Sequence, residues 1–164
     1  MARPFTDEDY ELWWLLVYTR RIIYIARKKE LAKYKITSEE AAVLWAIKSI
    51  GPKAKPASIA RGLMRKPHSI SGLVSRMNKH GLVKKVHDLD RKNWVRIELT
   101  EKGEKAYISS LNRESIHSIF SGLSEEDRIH LRSCLTKLSK GGVNEMGLKL
   151  KLPFTDLFAE DEES

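Results

Sequence analysis

A mainly α-helical fold with one small β-hairpin follows from three observations on the sequence. Apolar residues recur at helical spacing over most of the chain. Pro52, Pro56 and Pro67 fall where such runs end or begin. Two short runs, Leu82 to His87 and Trp94 to Leu99, flank a polar turn, and in the second Val95, Ile97 and Leu99 alternate with Arg96 and Glu98. At 164 residues the chain suits one compact domain with some excess, and a second enzyme-sized domain does not fit.

Asp7 to about Tyr34 lacks Pro and Gly and predicts one long helix, acidic at its start and carrying Arg27, Lys28 and Lys29 towards its end, as the helix dipole favours. Its first half, Leu12 to Tyr18, is apolar all round, which places it in an interface. Thr37 and Glu40 form a capping-box pattern that opens a second helix through Val43, Leu44, Ile47 and Ile50, closed by Gly51 and Pro52. Pro56 starts a short helix with Ile59, Ala60, Leu63 and Met64. Pro67 starts another, with Ile70, Leu73, Val74 and Met77 on one face, and Gly81 ends it.

Leu82 to His87 and Trp94 to Leu99 predict two strands. Thr100 caps a further helix expected to run unbroken through Tyr107, Ile108, Leu111, Ile116, Ile119 and Phe120. Ser124, with Asp127 near the third helical position, opens a last one carrying Ile129, Leu131, Leu135 and Leu138. From Gly141 the pattern fades, and residues 154–164 form an acidic tail.

The formal charge is +8, but the last nine residues hold five acids and no Lys or Arg, so the rest of the chain carries +13. Fourteen Lys or Arg against five acids lie between Lys53 and Lys105, the field of a surface that approaches a polyanion. A single cysteine, Cys134, excludes an internal disulfide and a thiolate zinc cluster, and fits a reducing compartment. The chain start has no signal-peptide pattern, and Leu12–Tyr18 is far short of the roughly 20 residues of a membrane span. The cytoplasm, with no membrane partner, is the expected location.

Helix, short helix, second short helix and hairpin is the order of a winged helix-turn-helix, whose second short helix enters a DNA major groove. On the run from Lys66 to Arg76 the apolar residues take one face. That leaves His68, Ser69, Ser71, Gly72, Ser75 and Arg76 on the other, where small polar groups approach base edges. Arg65, Lys66, Arg76 and Lys79 supply charge, and the first backbone amides are expected to meet phosphate. A solvated polar helix face is the alternative for this segment.

The stretch His80-Gly81-Leu82-Val83, then Asp88-Leu89-Asp90-Arg91-Lys92, then Val95 through Leu99-Thr100-Glu101-Lys102-Gly103 resembles the MarR family of regulators, with its Gly-Leu-Val, basic wing and Leu-Thr-x-x-Gly pattern. The resemblance covers roughly Glu11 to Leu138. It implies a mainly α winged helix-turn-helix with long N- and C-terminal dimerisation helices, a homodimer on a palindromic double-stranded DNA operator, and a repressor that a small apolar or aromatic effector releases. The expected division is a dimerisation helix over 1–36, the DNA-binding region over 37–104, C-terminal dimerisation helices over 105–141, and an extension over 142–164. Arg91 is the candidate for minor-groove insertion, with Lys92 beside it, since narrow grooves concentrate negative potential. Gly72 and Ser71 stand where many relatives carry Thr-Arg, so base preference does not carry over.

Trp13, Tyr18 and Trp45 are candidates to line an effector pocket, with ordinary core packing as the alternative. Cys134 is a thiol on the Leu131, Leu135, Leu138 stripe, expected packed and inert rather than a redox sensor. The five His residues include no pair at i, i+4 spacing, and His87 beside Asp88 and Asp90 lacks a third ligand, so no metal is expected. No nucleophile elbow, phosphate-binding Gly loop or His-Glu-x-x-His occurs, so neither catalytic residues nor cofactors are expected. A winged-helix module that binds protein through the same basic face is the alternative function.

Overall fold

The computed structural model describes residues 7–87 and 95–147. The order is α1 (Glu8–Ala32), α2 (Ser38–Ile50), a 3-10 turn (Gly51–Lys53), α3 (Pro56–Gly62), α4 (Pro67–Lys79), β1 (Val83–His87), β2 (Val95–Leu99), α5 (Glu101–Ser110), α6 (Glu114–Phe120) and α7 (Glu125–Glu145). This is the predicted class, mainly helical with one antiparallel hairpin, in register Val83↔Leu99 to His87↔Val95. The chain divides into two compact units, Met1–Ile119 and Phe120–Ser164.

The core of the first unit gathers around α2, whose Val43 and Leu44 are fully enclosed. Ile59 from α3, Val74 and Met77 from α4, Val83 from β1 and Ile97 from β2 join them. The capping box at Thr37 is complete: its hydroxyl accepts from the Glu40 amide at 3.1 Å, and the Glu40 carboxylate accepts from the Thr37 amide at 2.9 Å. Gly51 closes α2 with φ +71°, a left-handed conformation that suits glycine. Ala54, wholly buried, then lies against the hairpin, its carbonyl accepting from the Ile97 amide at 2.8 Å. That bond ties the approach to α3 onto the wing.

At the end of β2 the Leu-Thr-x-x-Gly pattern acquires a physical cause. The Thr100 amide donates to the Leu82 carbonyl at 3.1 Å, its hydroxyl donates to the Gly81 carbonyl at 2.5 Å, and the Gly103 amide donates back to that hydroxyl at 3.0 Å. Gly103 packs so closely on the preceding turn that a Cβ there would sit 1.9 Å from the Leu82 carbonyl oxygen. Only hydrogen fits.

The expected single helix after Thr100 is two helices, and the break is tertiary in origin. Arg113 takes a left-handed conformation, φ +52°, between α5 and α6. Glu30, near the end of α1 and only 4% exposed, accepts from the Glu114 amide at 2.9 Å and the Ser115 amide at 3.3 Å, and from the Ser115 hydroxyl. It thus caps α6 from a distant part of the chain. Arg27, one turn earlier on α1, pairs with Glu30 at 2.8 Å and donates to the Ser110 carbonyl at the end of α5. Burial by itself would raise the Glu30 pKa. The Ser115 hydroxyl, the Arg27 guanidinium and the Ser115 amide outweigh it and hold the carboxyl at about 2.

In the second unit, Ser124 and Asp127 form the predicted capping box, at 3.1 and 3.0 Å. Helix α7 continues to Glu145, past Gly141 where the apolar pattern fades. It buries no residue, and Leu131, Leu135 and Leu138 are exposed. Cys134 is exposed too, contrary to the packed state expected for it, because its stripe has no apolar surface to lie against within its own unit.

Three substitutions test these contacts and the open face of α4. Gly103→Ala forces a methyl into the Leu82 carbonyl and lowers the unfolding free energy in urea by roughly 1–3 kcal/mol, as overpacking does. Gly72→Ala, on α4 with open space around it, raises it by up to about 1 kcal/mol through helix propensity. A carboxyl whose pKa drops on folding stabilises the fold above its unfolded value and loses that contribution as pH falls towards the folded one. Glu30→Gln therefore lowers the melting temperature at neutral pH and flattens its dependence on pH between about 4.5 and 2, read by circular dichroism.

Candidate nucleic-acid interface

Helix α4 buries Ile70, Leu73, Val74 and Met77 against the core, and this fixes which residues turn outward. His68, Ser69, Ser71, Gly72, Arg76 and Lys79 are exposed on it, with Arg65 and Lys66 exposed just before it. The α3–α4 turn closes through the Arg65 amide, which donates to the Ala60 carbonyl at 2.9 Å while Met64 adopts a left-handed conformation. Gly72 has nothing within 4 Å of where a Cβ would stand, so any surface approaching α4 meets bare backbone at that point.

Two details depart from the sequence expectation. The phosphate cradle at the start of α4 is smaller than its position suggests: Pro67 has no amide hydrogen, and the Ser69 and Ile70 amides donate to the Lys66 carbonyl at 3.1 and 3.3 Å. The His68 amide is what remains of it. Ser75 is half-buried, and its hydroxyl accepts from Lys85 Nζ at 3.3 Å, so it is engaged by the wing.

The hairpin adds Lys84, Lys85, His87 and Arg96 as exposed basic or imidazole groups. Glu98 pairs with Lys84 at 3.1 Å and Arg96 at 3.0 Å, and the Lys84 ammonium in particular holds its carboxyl below the usual range. Lys85 is therefore the strand cation that reaches towards α4, a role that period-two alternation does not disclose because it depends on the angle between wing and helix. Lys102 likewise anchors the end of α4, donating to the His80 carbonyl at 2.7 Å. Arg91 and Lys92 lie outside the described residues, as do Asp88 and Asp90. Among the described residues no three His, Cys, Asp or Glu side chains form a metal-ligand group, and no helix is long and apolar enough to cross a membrane.

A cavity of about 620 Å³ lies where α1, the start of α2 and α4 meet. Val43, Leu63, Ile70 and Leu73 contribute its apolar side, and Arg20, Arg65, Arg76 and His80 are among its polar lining residues. The Tyr24 hydroxyl donates to Glu39 at 2.9 Å along this wall, which raises the tyrosine pKa. Trp13 and Tyr18 stand elsewhere, in an exposed ring cluster with Tyr10 and Trp14, and Trp45 packs half-buried on the core.

Residues 36–103 match the model of a winged helix DNA-binding domain. The chain is 29% identical over 124 residues to the HTH-type transcriptional regulator PecS of Dickeya dadantii (strain 3937), covering 73% of this chain and 74% of that protein. It superposes with a TM-score of 0.81 and 29% identity on the ligand-free organohalide-sensing RdhR-CbdbA1625 transcriptional regulator, over 94% of this chain and 95% of that one. The same regulator bound to 2,4-dichlorophenol gives 0.78 and 28%, over 94% and 98%. A MarR-family transcriptional regulator from Rhodococcus sp. RHA1 shares the fold at 0.70 and 19%, over 82% and 97%. The helix-turn-helix, the basic hairpin and these relatives together support a winged-helix transcriptional regulator of the MarR type.

Proposed function

We infer that the chain acts in the cytoplasm as a homodimeric repressor, which binds a palindromic double-stranded operator and leaves it when a small effector binds. The observation that carries this is the outward face of α4, polar, small and flanked by cations, on a helix whose other face is fully committed to the core. His68, Ser69, Ser71 and Gly72 are suited to base edges. Arg65, Lys66, Arg76 and Lys79 are suited to phosphate, and Arg91 with Lys92 to the minor groove beside it. Ser75 contributes through Lys85.

Dimerisation is supported by apolar surface that a lone chain leaves in water. On α1, Leu15, Tyr18 and Ile22 are each more than 60% exposed, and on α7 Leu138 is 59% exposed. Release requires an effector that binds the DNA-incompetent state better than the competent one. Trp13, Tyr18 and Trp45 remain candidates to meet an apolar or aromatic effector at the edge of such an interface.

Light scattering of the full chain is expected to give twice 18.9 kDa at micromolar concentration. A stable monomer would remove the two-helix operator model, which needs half-sites roughly 10 base pairs apart. On the duplex upstream of the protein's own coding region, Lys66→Ala or Lys79→Ala is expected to weaken operator and scrambled DNA alike. Each should flatten the slope of log affinity against log salt by about one unit. Ser69→Ala and Ser71→Ala are expected to narrow the gap between the two duplexes by roughly 1 kcal/mol or more. Equal losses on both duplexes for the Ser variants would make α4 a backbone clamp without base reading.

A further inference from the structure

Met64 belongs by spacing to the apolar run of α3, with Ile59, Ala60 and Leu63. In the structure α3 ends at Gly62, and the Met64 side chain is 66% exposed. Its backbone closes the helix. The Met64 amide donates to the Arg61 carbonyl at 3.1 Å and the Arg65 amide to the Ala60 carbonyl at 2.9 Å, the pair of bonds that makes a Schellman cap. That cap puts Met64 at φ +51°, where glycine is the usual residue because a Cβ is unfavourable there. Gly62, two residues earlier, lies inside α3 with open space around it. Neither the backbone nor the core accounts for a methionine at this position, so what its side chain contributes lies outside the chain.

The surroundings specify the contact. Arg61, Arg65 and Lys66, all exposed, flank Met64 on both sides, and the outward face of α4 begins at His68, four residues on. A cationic surface attracts a polyanion, so an apolar side chain set among these groups meets the apolar matter that nucleic acid carries. In the major groove that is the C5-methyl of thymine; the other three bases present donors and acceptors. An unbranched thioether with three rotatable bonds can follow a methyl group whose position shifts with the twist of the duplex.

We propose that Met64 covers a thymine C5-methyl at the edge of the half-site that α4 enters, and so sets base preference from the turn rather than from the helix. The proposal rests on the DNA-facing role of α4. Arg61 and Arg65 hold the phosphate backbone while the thioether keeps water off the methyl. Discrimination at this base pair then comes from apolar burial, which salt does not screen, whereas the phosphate contacts beside it weaken as salt rises.

The test uses the full chain and the duplex upstream of its own coding region, synthesised either with thymine or with deoxyuridine, which pairs alike and lacks only the methyl. The wild type is expected to bind the thymine duplex roughly fourfold more tightly for each methyl covered, with the same ratio at low and high salt. Met64→Ala and Met64→Gly are expected to bind the two duplexes alike, and Met64→Leu to keep the preference. Met64→Gly should melt no lower than the wild type, because glycine suits the turn, which separates a lost contact from a damaged fold. Lys66→Ala should weaken both duplexes and leave their ratio unchanged. A wild type that does not distinguish the duplexes, or a Met64→Ala variant that keeps the wild-type ratio, overturns the thymine contact. Equal loss on both duplexes in Met64→Ala places the side chain against deoxyribose and overturns it as well. A chain that binds neither duplex at any salt concentration overturns the DNA reading itself, and the role of Met64 with it.

Discussion

Where α4 ends, three segments meet around a single carbonyl. The Leu82 oxygen accepts from the Thr100 amide, and it leaves no space for a side chain at position 103. The turn after α4, the first residue of β1 and the first turn of α5 are fixed by that approach together. The Thr100 hydroxyl bridges the Gly81 carbonyl and the Gly103 amide, and Lys102 reaches back to His80. The angle between the outward helix and the wing is therefore set by backbone packing, where interiors are close-packed and adjust little. The Ile97–Ala54 bond holds the middle of β2 to the approach to α3, and Lys85 spans the gap to Ser75. The helix-turn-helix and the two described strands are thus held together, which fixes the outward face of α4 relative to them.

Different forces act on the two faces of this body. The inward face of α4 is held by burial of Ile70, Leu73, Val74 and Met77, a term that scales with apolar area and is indifferent to side-chain detail on the far side. The outward face is thereby free to vary, and it carries Gly72 and small hydroxyls where helix stability alone would favour Ala. The same helix also closes one side of the cavity through Ser69, Ile70, Leu73 and Arg76, so a single rotation of α4 would alter both surfaces at once.

Local chemistry made much of this legible in the sequence. Thr37 with Glu40, Ser124 with Asp127, and Pro56 and Pro67 are signals whose cause lies within four residues, and the helices begin where those signals stand. Leu99-Thr100-x-x-Gly103 stood out as a pattern, but its reason, the Leu82 carbonyl, lies some twenty residues earlier. The break between α5 and α6 gave no sequence signal because the apolar spacing through Ile108, Leu111, Ile116 and Ile119 continues across it. Its cause is a carboxylate 84 residues away. The outward residues of α4 were readable from one helix face alone. The cavity was not, since Arg20 and Tyr24 come to it from a helix whose sequence announces only its apolar half.

That remote carboxylate also bears on the stability of the helix it caps. Helix α6 has seven residues, too few to nucleate alone in water, and its first amides find their acceptor on α1. Its first hydrogen bonds depend on Glu30, so its stability is tied to the closure of a long loop as well as to local propensity. The same dependence runs backwards during fluctuations. When the end of α1 lifts away, α6 loses its cap, and hydrogen exchange at Glu114 and Ser115 would report the opening of a helix that lies far from them in the chain.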